Sequence, residues 1–519
     1  MTRCTKLQAS HGGIHNRTGV ASLCNRRGAN VSAGTVYEAK ARPFTARPLD
    51  SGRWACLSPV GEIAFLDAQT LDLLRAAPAE LDADVRQRLK AKHFLSSSAP
   101  TPGVDRLYAS RLAEKAATAD GPPTLHILVP TLQCAHSCQY CQVSRALDAQ
   151  GFSMSQDQVL AACDTIMAST TEVLTVEFQG GDPLNRFDLV ELGIEALAHH
   201  PVRQGRAIRF VIASTLHQLT PEMCSYFRQY DVKLSTSIDG PAWLHNKNRP
   251  LPTKDSYERT RRGIELARSC LGLDSVSALM TTTRHSLEHA EAIVDEYVHL
   301  GLQEIFLRPL SPYGFAKRNL AYLGYSTPDF MRFYERAVER LFWWNREGVA
   351  IREAYAGLIL NKLICGFDAG YVDLQSPNAS GRAVLVYNYD GWVYPSDEAR
   401  MLAETGDTSF RMGAIGTPLE ALLGSDVARR IADQGDTLGD PDCVKCAFKS
   451  YCAPSPVDAA ALAQSGIGAP TRETEHCRRQ TAMFDFWLGR LGELEVHDDV
   501  ATAALLQRWA QPHGTAQAS

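Results

Sequence analysis

The sequence predicts an α/β protein: a partial (β/α)6 barrel with a small N-terminal α+β unit before it and a loop-rich C-terminal domain after it. Three observations predict this. Six strand–helix repeats run between Leu125 and Asn345, three cysteines crowd the loop after the first strand, and the alternation stops near residue 348, ahead of a second cysteine group.

In chain order, residues 1–35 are rich in Gly, Asn, Ser, Arg and His without periodicity and read as disordered. Residues 36–98 read as a small folded domain. "RWACLSPVGEIAFL" is a hairpin around Pro59-Val60-Gly61, and "DAQTLDLLRAA" and "DADVRQRLKAKHFL" have helical periodicity. "SSSAPTPG" and "TADGPP" bound a linker over residues 99–121. The barrel spans 122–347. Its strands are "LHILVPT", "EVLTVEF", "AIRFVIAS", "VKLSTSI", "SVSALMTTT" and "EIFLRPL", and an amphipathic helix follows each. Near-continuous apolar strands separated by such helices imply a parallel sheet covered on its outer face. Six units are too few to close an eight-stranded barrel, so the form is open or partial. Over residues 348–495 "RAVLVYNYDGWVYPSDE" is a hairpin with Tyr389-Asp390-Gly391 at its turn, and loops dominate until the helical "RRQTAMFDFWLGRLGELE". Residues 496–519 read as a tail.

Composition narrows the function. The chain has 519 residues, 45% hydrophobic, with a formal net charge of −5. No basic excess or charge block argues for nucleic acid. No apolar run approaches the roughly 18 residues of a membrane span, so no membrane role is expected. The first residues lack the apolar core of a secretory signal, which points to the cytoplasm and leaves the acceptor pattern at Asn16 without meaning. Fourteen cysteines are then expected as reduced thiols available to metals. Cys4, Cys24, Cys56, Cys163, Cys224 and Cys270 stand singly and read as core or incidental residues. The rest form two groups: Cys134, Cys138 and Cys141, then Cys365, Cys443, Cys446, Cys452 and Cys477.

Iron–sulfur clusters normally take four thiolates. The first group supplies three, spaced C-x3-C-x2-C with Tyr140 before the last. Three thiolates from one loop would hold three corners of a cubane and leave the fourth iron open. The alternatives are a zinc site completed from elsewhere, or idle thiols. In this spacing and place, "CAHSCQYC" resembles the signature of the radical S-adenosylmethionine (radical SAM) superfamily. The resemblance implies a [4Fe–4S] cluster on Cys134, Cys138 and Cys141 whose open iron chelates S-adenosyl-L-methionine. Reductive cleavage of that cofactor yields a hydrogen-abstracting 5′-deoxyadenosyl radical.

Other stretches agree with it. "FQGGDP" ends the second strand where the family carries Gly-Gly-Glu-Pro. Gly180, Gly181, Asp182 and Pro183 are therefore candidate cofactor-binding residues, Asp182 keeping the carboxylate on a shorter stem. Tyr140 joins them from the cysteine loop. "IAST" places Ser214 as a ribose contact, and "STSIDGPAWLHNKNR" resembles a stretch of peptide-modifying members, offering Ser237, Asp239 and Arg249. "LRPLSPYGFAKRN" offers Arg308 or Tyr313 for the pocket mouth.

Four cysteines in a loop-rich segment suit a zinc ribbon. Behind such a barrel, Cys443-x2-Cys446-x5-Cys452 with Cys477 resembles the SPASM extension, which carries auxiliary [4Fe–4S] clusters. Relatives with two auxiliary clusters add a cysteine before the hairpin, one after it and one four residues past the run. Cys365 fits the first position, but Ser396 and Pro456 occupy the other two. The expectation is one auxiliary cluster on Cys443, Cys446, Cys452 and Cys477, with Cys365 a relic or a structural thiol. Asp397 stands where sulfatase-maturing relatives carry a proton-accepting Asp and is the candidate catalytic residue; the alternative is a solvated acid.

"LVPTLQCAHSCQYCQVSR", "FQGGDPL", "LRPLSPYGFA" and "GRWACLSPVGEIAFL" resemble the His-Xaa-Ser system radical SAM maturases. That likeness covers roughly residues 36–490. It implies a peptide or small protein substrate with His-Xaa-Ser repeats, a reductant such as flavodoxin or ferredoxin, and a second radical SAM enzyme. The 36–98 domain is then a candidate peptide-recognition module that offers a sheet edge to a leader; the alternative is a packing lid. The rivals are a formylglycine-forming sulfatase maturase, and a non-catalytic iron–sulfur electron carrier or zinc-stabilised scaffold.

Overall fold

The computed structural model describes residues 39–97, 102–117, 121–143, 145–146, 151–311, 313–366, 374–462, 470–497 and 499–511. The expected disorder of residues 1–35, Cys4, Cys24 and Asn16 lie outside the described residues.

The N-terminal domain has five short strands: β1 (Ala39–Ala41), β2 (Thr45–Pro48), β3 (Trp54–Leu57), β4 (Ile63–Leu66) and β5 (Leu95–Ser97). β2, β3 and β4 form an antiparallel sheet, and β1 pairs antiparallel with β5. The β3–β4 turn is the expected hairpin, with Gly61 at φ +78°. Helices Ala68–Ala76 and Ala83–Ala91, capped by Asp67 and Asp82, follow as expected.

The expected linker is instead a helix over Pro102–Ala117. Proline at a first helical position is compatible with helix entry, and the stretch after it is rich in alanine and leucine. The helix docks on both sides. Arg42 pairs with Asp105 at 2.6 Å and Arg111 with Glu62 at 2.6 Å, while Lys115 Nζ donates to the Ser450 carbonyl at 2.6 Å.

The barrel strands are β6 (Leu125–Thr131), β7 (Val173–Gly180), β8 (Ala207–Ala213), β9 (Lys233–Ser237), β10 (Val276–Thr281) and β11 (Glu304–Arg308). They pair in parallel in sequence order, each followed by a helix on the outer face. Four more strands complete the sheet: β12 (Arg352–Glu353), β13 (Val384–Tyr387), β14 (Trp392–Tyr394) and β15 (Gly413–Ala414). Its order is β12-β11-β10-β9-β8-β7-β6-β13-β14-β15. β12 extends the β11 edge and β13 the β6 edge, both in parallel, and the β13–β14 hairpin turns at Asn388–Gly391.

Three expectations need correction here. The boundary at 347/348 does not separate two folding units. A six-stranded arc leaves two edges with unpaired backbone groups, and strands from beyond residue 348 cover both. Residues 496–519 do not form a simple tail, because Val500–Trp509 is a helix capped by Asp499. It buries Leu505, Leu506 and Trp509, the last packed on Phe342 and Trp487.

The strands also alternate more than the sequence reading supposed. On β7, Leu174, Val176 and Phe178 are fully buried under the helices, whereas Thr175, Glu177 and Gln179 face the barrel interior. A filled eight-stranded barrel packs branched apolar residues inside; this one keeps a polar, open interior. No helix among the described residues is long and apolar enough to cross a membrane.

Candidate active site

A cavity of about 1190 Å³ occupies the barrel interior and is lined from end to end of its strands, with Cys134, Gly180, Ser214 and Arg308 at the C-terminal rim. The cysteine loop leaves β6 at this rim. Its backbone is tied down at several points: Cys134 N–H donates to Ala146 O, Ser137 N–H to Pro250 O, Asn319 Nδ2 to Gln139 O, and Phe315 N–H to Cys141 O. Cys134, Cys138, Tyr140 and Cys141 line the cavity.

Tyr140 is buried, and its hydroxyl donates to Asp239 Oδ2 at 2.6 Å. Arg249 Nε donates to the same oxygen at 3.1 Å, and its guanidinium lies over the Tyr140 ring at 5.2 Å. Asp239 Oδ1 accepts from Thr281 N–H at 3.2 Å. A fully buried aspartate at the end of β9 therefore locks the cysteine loop to β10 and to Arg249. Arg249 and Ser237 line the cavity, while Asp239 sits behind them.

At the end of β7 the glycine pair is demanded by sterics. A Cβ on Gly180, at φ +136°, would meet Thr131 O at 2.3 Å, and one on Gly181 would meet Leu132 O at 2.2 Å. The two glycines let the strand end press against the start of the cysteine loop. Asp182 and Pro183 are buried behind this wall. Asp182 Oδ1 accepts from Ser214 Oγ at 2.8 Å and Leu184 N–H at 3.2 Å; Oδ2 accepts from Thr215 Oγ1 at 2.5 Å and Thr215 N–H at 3.2 Å. Burial raises its pKa, and the Thr215 and Ser214 hydroxyls oppose that. The shorter side chain is thus absorbed by β8-end hydroxyls that reach to meet it, and Asp182 braces β7 to β8. Ser214 and Thr215 face the cavity.

Burial pushes the Cys138 thiol up to about 12 against the opposing Arg249 charge, and it raises Cys134 as well. Thiols so placed ionise only with a cation to compensate them. The charges of Cys138 and Cys141 act on Cys134, so the loop holds the three sulfurs as neighbours. The His136 N–H, two residues on, favours the Cys134 thiolate.

The second group repeats that feature: the Phe448 N–H donates to Cys446 Sγ at 3.4 Å. Cys443 feels the charges of Cys452 and Cys446, and Cys477, on the first turn of the helix Glu475–His497, feels that of Cys446. The residues fit iron–sulfur ligation in donor type and amide support. Among the described residues, no three His, Cys, Asp or Glu side chains are already drawn into a closed ligand set.

The two positions expected to lack ligands have structural employment. Ser396 caps the helix Asp397–Ala403, accepting from Ala399 N–H at 3.2 Å, and Pro456 opens the helix Pro456–Leu462. Cys365 ends a π-helical turn and lines the cavity. Asp397 also faces the cavity. Arg400 reaches it through Nε at 2.9 Å and Nη2 at 2.5 Å, both contacts falling on Oδ1. Arg308 and Tyr313 line the wall as well.

Sequence reasoning missed two cavity residues. His476 is buried, with Nε2 3.8 Å from Cys452 Sγ, and its neighbour Cys477 was the available clue. Glu177 is buried inside the barrel; the polar alternation Thr175, Glu177, Gln179 marked it.

Residues 128–297 match the family model described as the Radical SAM superfamily. The barrel, from Leu128 on β6 to Tyr297, is thus similar to a radical SAM domain. An uncharacterized protein of Methanothermobacter thermautotrophicus is 29% identical over 192 residues, 36% of this chain and 67% of that protein. The chain spans less than half the length of the next two curated relatives that it matches. Among solved structures, native anSMEcpe with bound AdoMet and Cp18Cys peptide superposes with a TM-score of 0.59 at 16% identity, over 72% of this chain and 99% of that one. Streptococcus suis SuiB bound to precursor peptide SuiA gives 0.50 at 13% identity, over 85% and 100%. At such identities the likeness is one of fold.

Proposed function

We propose that this chain modifies a ribosomally made peptide or small protein, of a His-Xaa-Ser system, by radical SAM chemistry in the cytoplasm. One observation carries the reading: a three-thiol loop opens into a cavity whose wall also receives an acid, Asp397, from beyond the barrel. The two structural neighbours hold peptides, which supports a peptide substrate. Cys134, Cys138 and Cys141 would hold a [4Fe–4S] cluster with S-adenosylmethionine at its open iron, Cys443, Cys446, Cys452 and Cys477 one auxiliary cluster. When bound, these groups supply hydrogen-atom abstraction and an electron acceptor.

The protein's own residues do the rest. Asp239 fixes the loop through Tyr140 and Arg249. Gly180, Gly181, Ser214 and Ser237 shape the wall where the cofactor would sit. Arg400 orients Asp397 through one oxygen and leaves the other to accept the proton that substrate oxidation releases. A flavodoxin- or ferredoxin-type reductant and a second radical SAM enzyme complete the system that this reading implies, with the 39–97 domain as the site of leader recognition.

The test is anaerobic reconstitution followed by incubation with S-adenosylmethionine, dithionite and a peptide bearing His-Xaa-Ser repeats. About eight irons per chain, 5′-deoxyadenosine and a mass change on the peptide are expected. Absence of 5′-deoxyadenosine refutes the enzyme reading. About four irons removes the auxiliary cluster, and an unaltered peptide removes the His-Xaa-Ser assignment.

A further inference from the structure

Glu177 projects from the middle of β7 into the cavity, and no role has been assigned to it. It is 2% exposed, and its Oε2 is buried without a hydrogen-bond partner among the described residues. A buried carboxylate oxygen left unsatisfied is costly, and such groups persist where a ligand satisfies them. Asp397 faces the same cavity from the helix after β14, and both of its guanidinium contacts fall on Oδ1. Two carboxyl groups from distant parts of the chain thus line one cavity, and Glu177 keeps a buried acceptor oxygen without a partner among the described residues.

We propose that Glu177 and Asp397 form a two-carboxyl subsite that takes the hydrogen-donating side chain of the substrate, an imidazole N–H or a hydroxyl, with Glu177 as the positioning residue. The inference rests on the peptide-modifying reading above and deepens it. The electrostatics are consistent with a facing pair. Burial first, then the Asp397 charge, raise Glu177 to about 7, and Arg308 on β11 opposes them. Arg400 neutralises Asp397 from its own helix. Near neutral pH Glu177 is partly protonated, so a donor that brings its own N–H or O–H favours its ionised form.

The test is difference infrared spectroscopy of the reconstituted full-length protein between pH 5 and pH 9 (instrument settings), with imidazole as the side-chain probe and acetate as the control. In the wild type carboxylic acid C=O absorption is lost as pH rises through neutrality, part of it from Glu353, which burial also raises to about 7. The wild type minus Glu177→Gln difference isolates the Glu177 band. Asp397→Asn shifts its loss to lower pH by about one unit, because the like charge that disfavours ionisation is gone. Imidazole produces a shift of the same sign in the wild type, and acetate none.

No band in that difference, a band that ignores Asp397→Asn, or one that responds equally to acetate and imidazole overturns the subsite. Protein that cleaves S-adenosylmethionine but shows no imidazole effect refutes the subsite and leaves the radical SAM reading standing. Protein that shows the imidazole effect but forms no 5′-deoxyadenosine does the reverse.

Discussion

The two cysteine groups solve the same problem by opposite means. The barrel loop is short and held from outside: Asp239 and Arg249 grip it at its own Tyr140, Asn319 at the Gln139 carbonyl, and the glycine pair presses against its start. The C-terminal group is spread from Cys443 to Cys477 and interrupted by a helix and a stretch outside the described residues. Asp440 accepts from Cys443 N–H at 2.8 Å, and distant Thr45, Lys115 and Lys362 donate to the Ala447, Ser450 and Tyr451 carbonyls. The first group sits on one loop; the second draws Cys477 from a separate helix, and what its sulfurs bind ties the two stretches together.

Substitutions can break that contrast. The largest effect belongs to Cys138→Ala. It should reduce 5′-deoxyadenosine formation to background while the melting temperature changes little, because the barrel holds the loop whether or not metal is present. Product chromatography and a thermal melt check both halves. Next comes Asp239→Ala. Removing this buried acid strands the Arg249 charge and the Tyr140 hydroxyl, at a cost of about 3–5 kcal/mol. Denaturant unfolding reads that loss, and an unchanged midpoint would deny the loop its external anchor.

Cys446→Ala should halve bound iron, from about eight to about four per chain, and lower the melting temperature. Cofactor cleavage should stay partly intact. Full iron in this variant removes the auxiliary cluster from the account. Ser396→Ala tests the helix cap at a cost of about 1 kcal/mol. Cys365→Ala should leave the iron content unchanged, since the ligand set expected around it lacks two members.

Much of this was legible in the sequence. All six barrel strands appear within two residues of their expected ends, because each alternates with a helical segment, some of them capped, as by Ser155, Thr220 and Ser326. The cysteine spacing placed the loop. What stayed hidden depends on partners distant in sequence. Nothing near Asp182 in the sequence signals that Ser214 and Thr215, about thirty residues on, donate to both its oxygens. β12 is two residues long, too short for any periodicity to register. The helix Val500–Trp509, where a tail is expected, carries its own signals in Asp499 and the spacing of Leu505, Leu506 and Trp509.

The pairing of β13 with β6 reaches beyond architecture. Four register positions, from Val384 against Leu125 to Tyr387 against Leu128, bond the first barrel strand to a segment more than 250 residues later. A ribosome must release that segment before the strand bearing the cysteine loop is flanked on both sides. Until then β6 is a naked, apolar rim, able to template association with other chains. Expression of residues 122–347 alone should therefore give aggregates, whereas a fragment extended through β15 gains the missing cover.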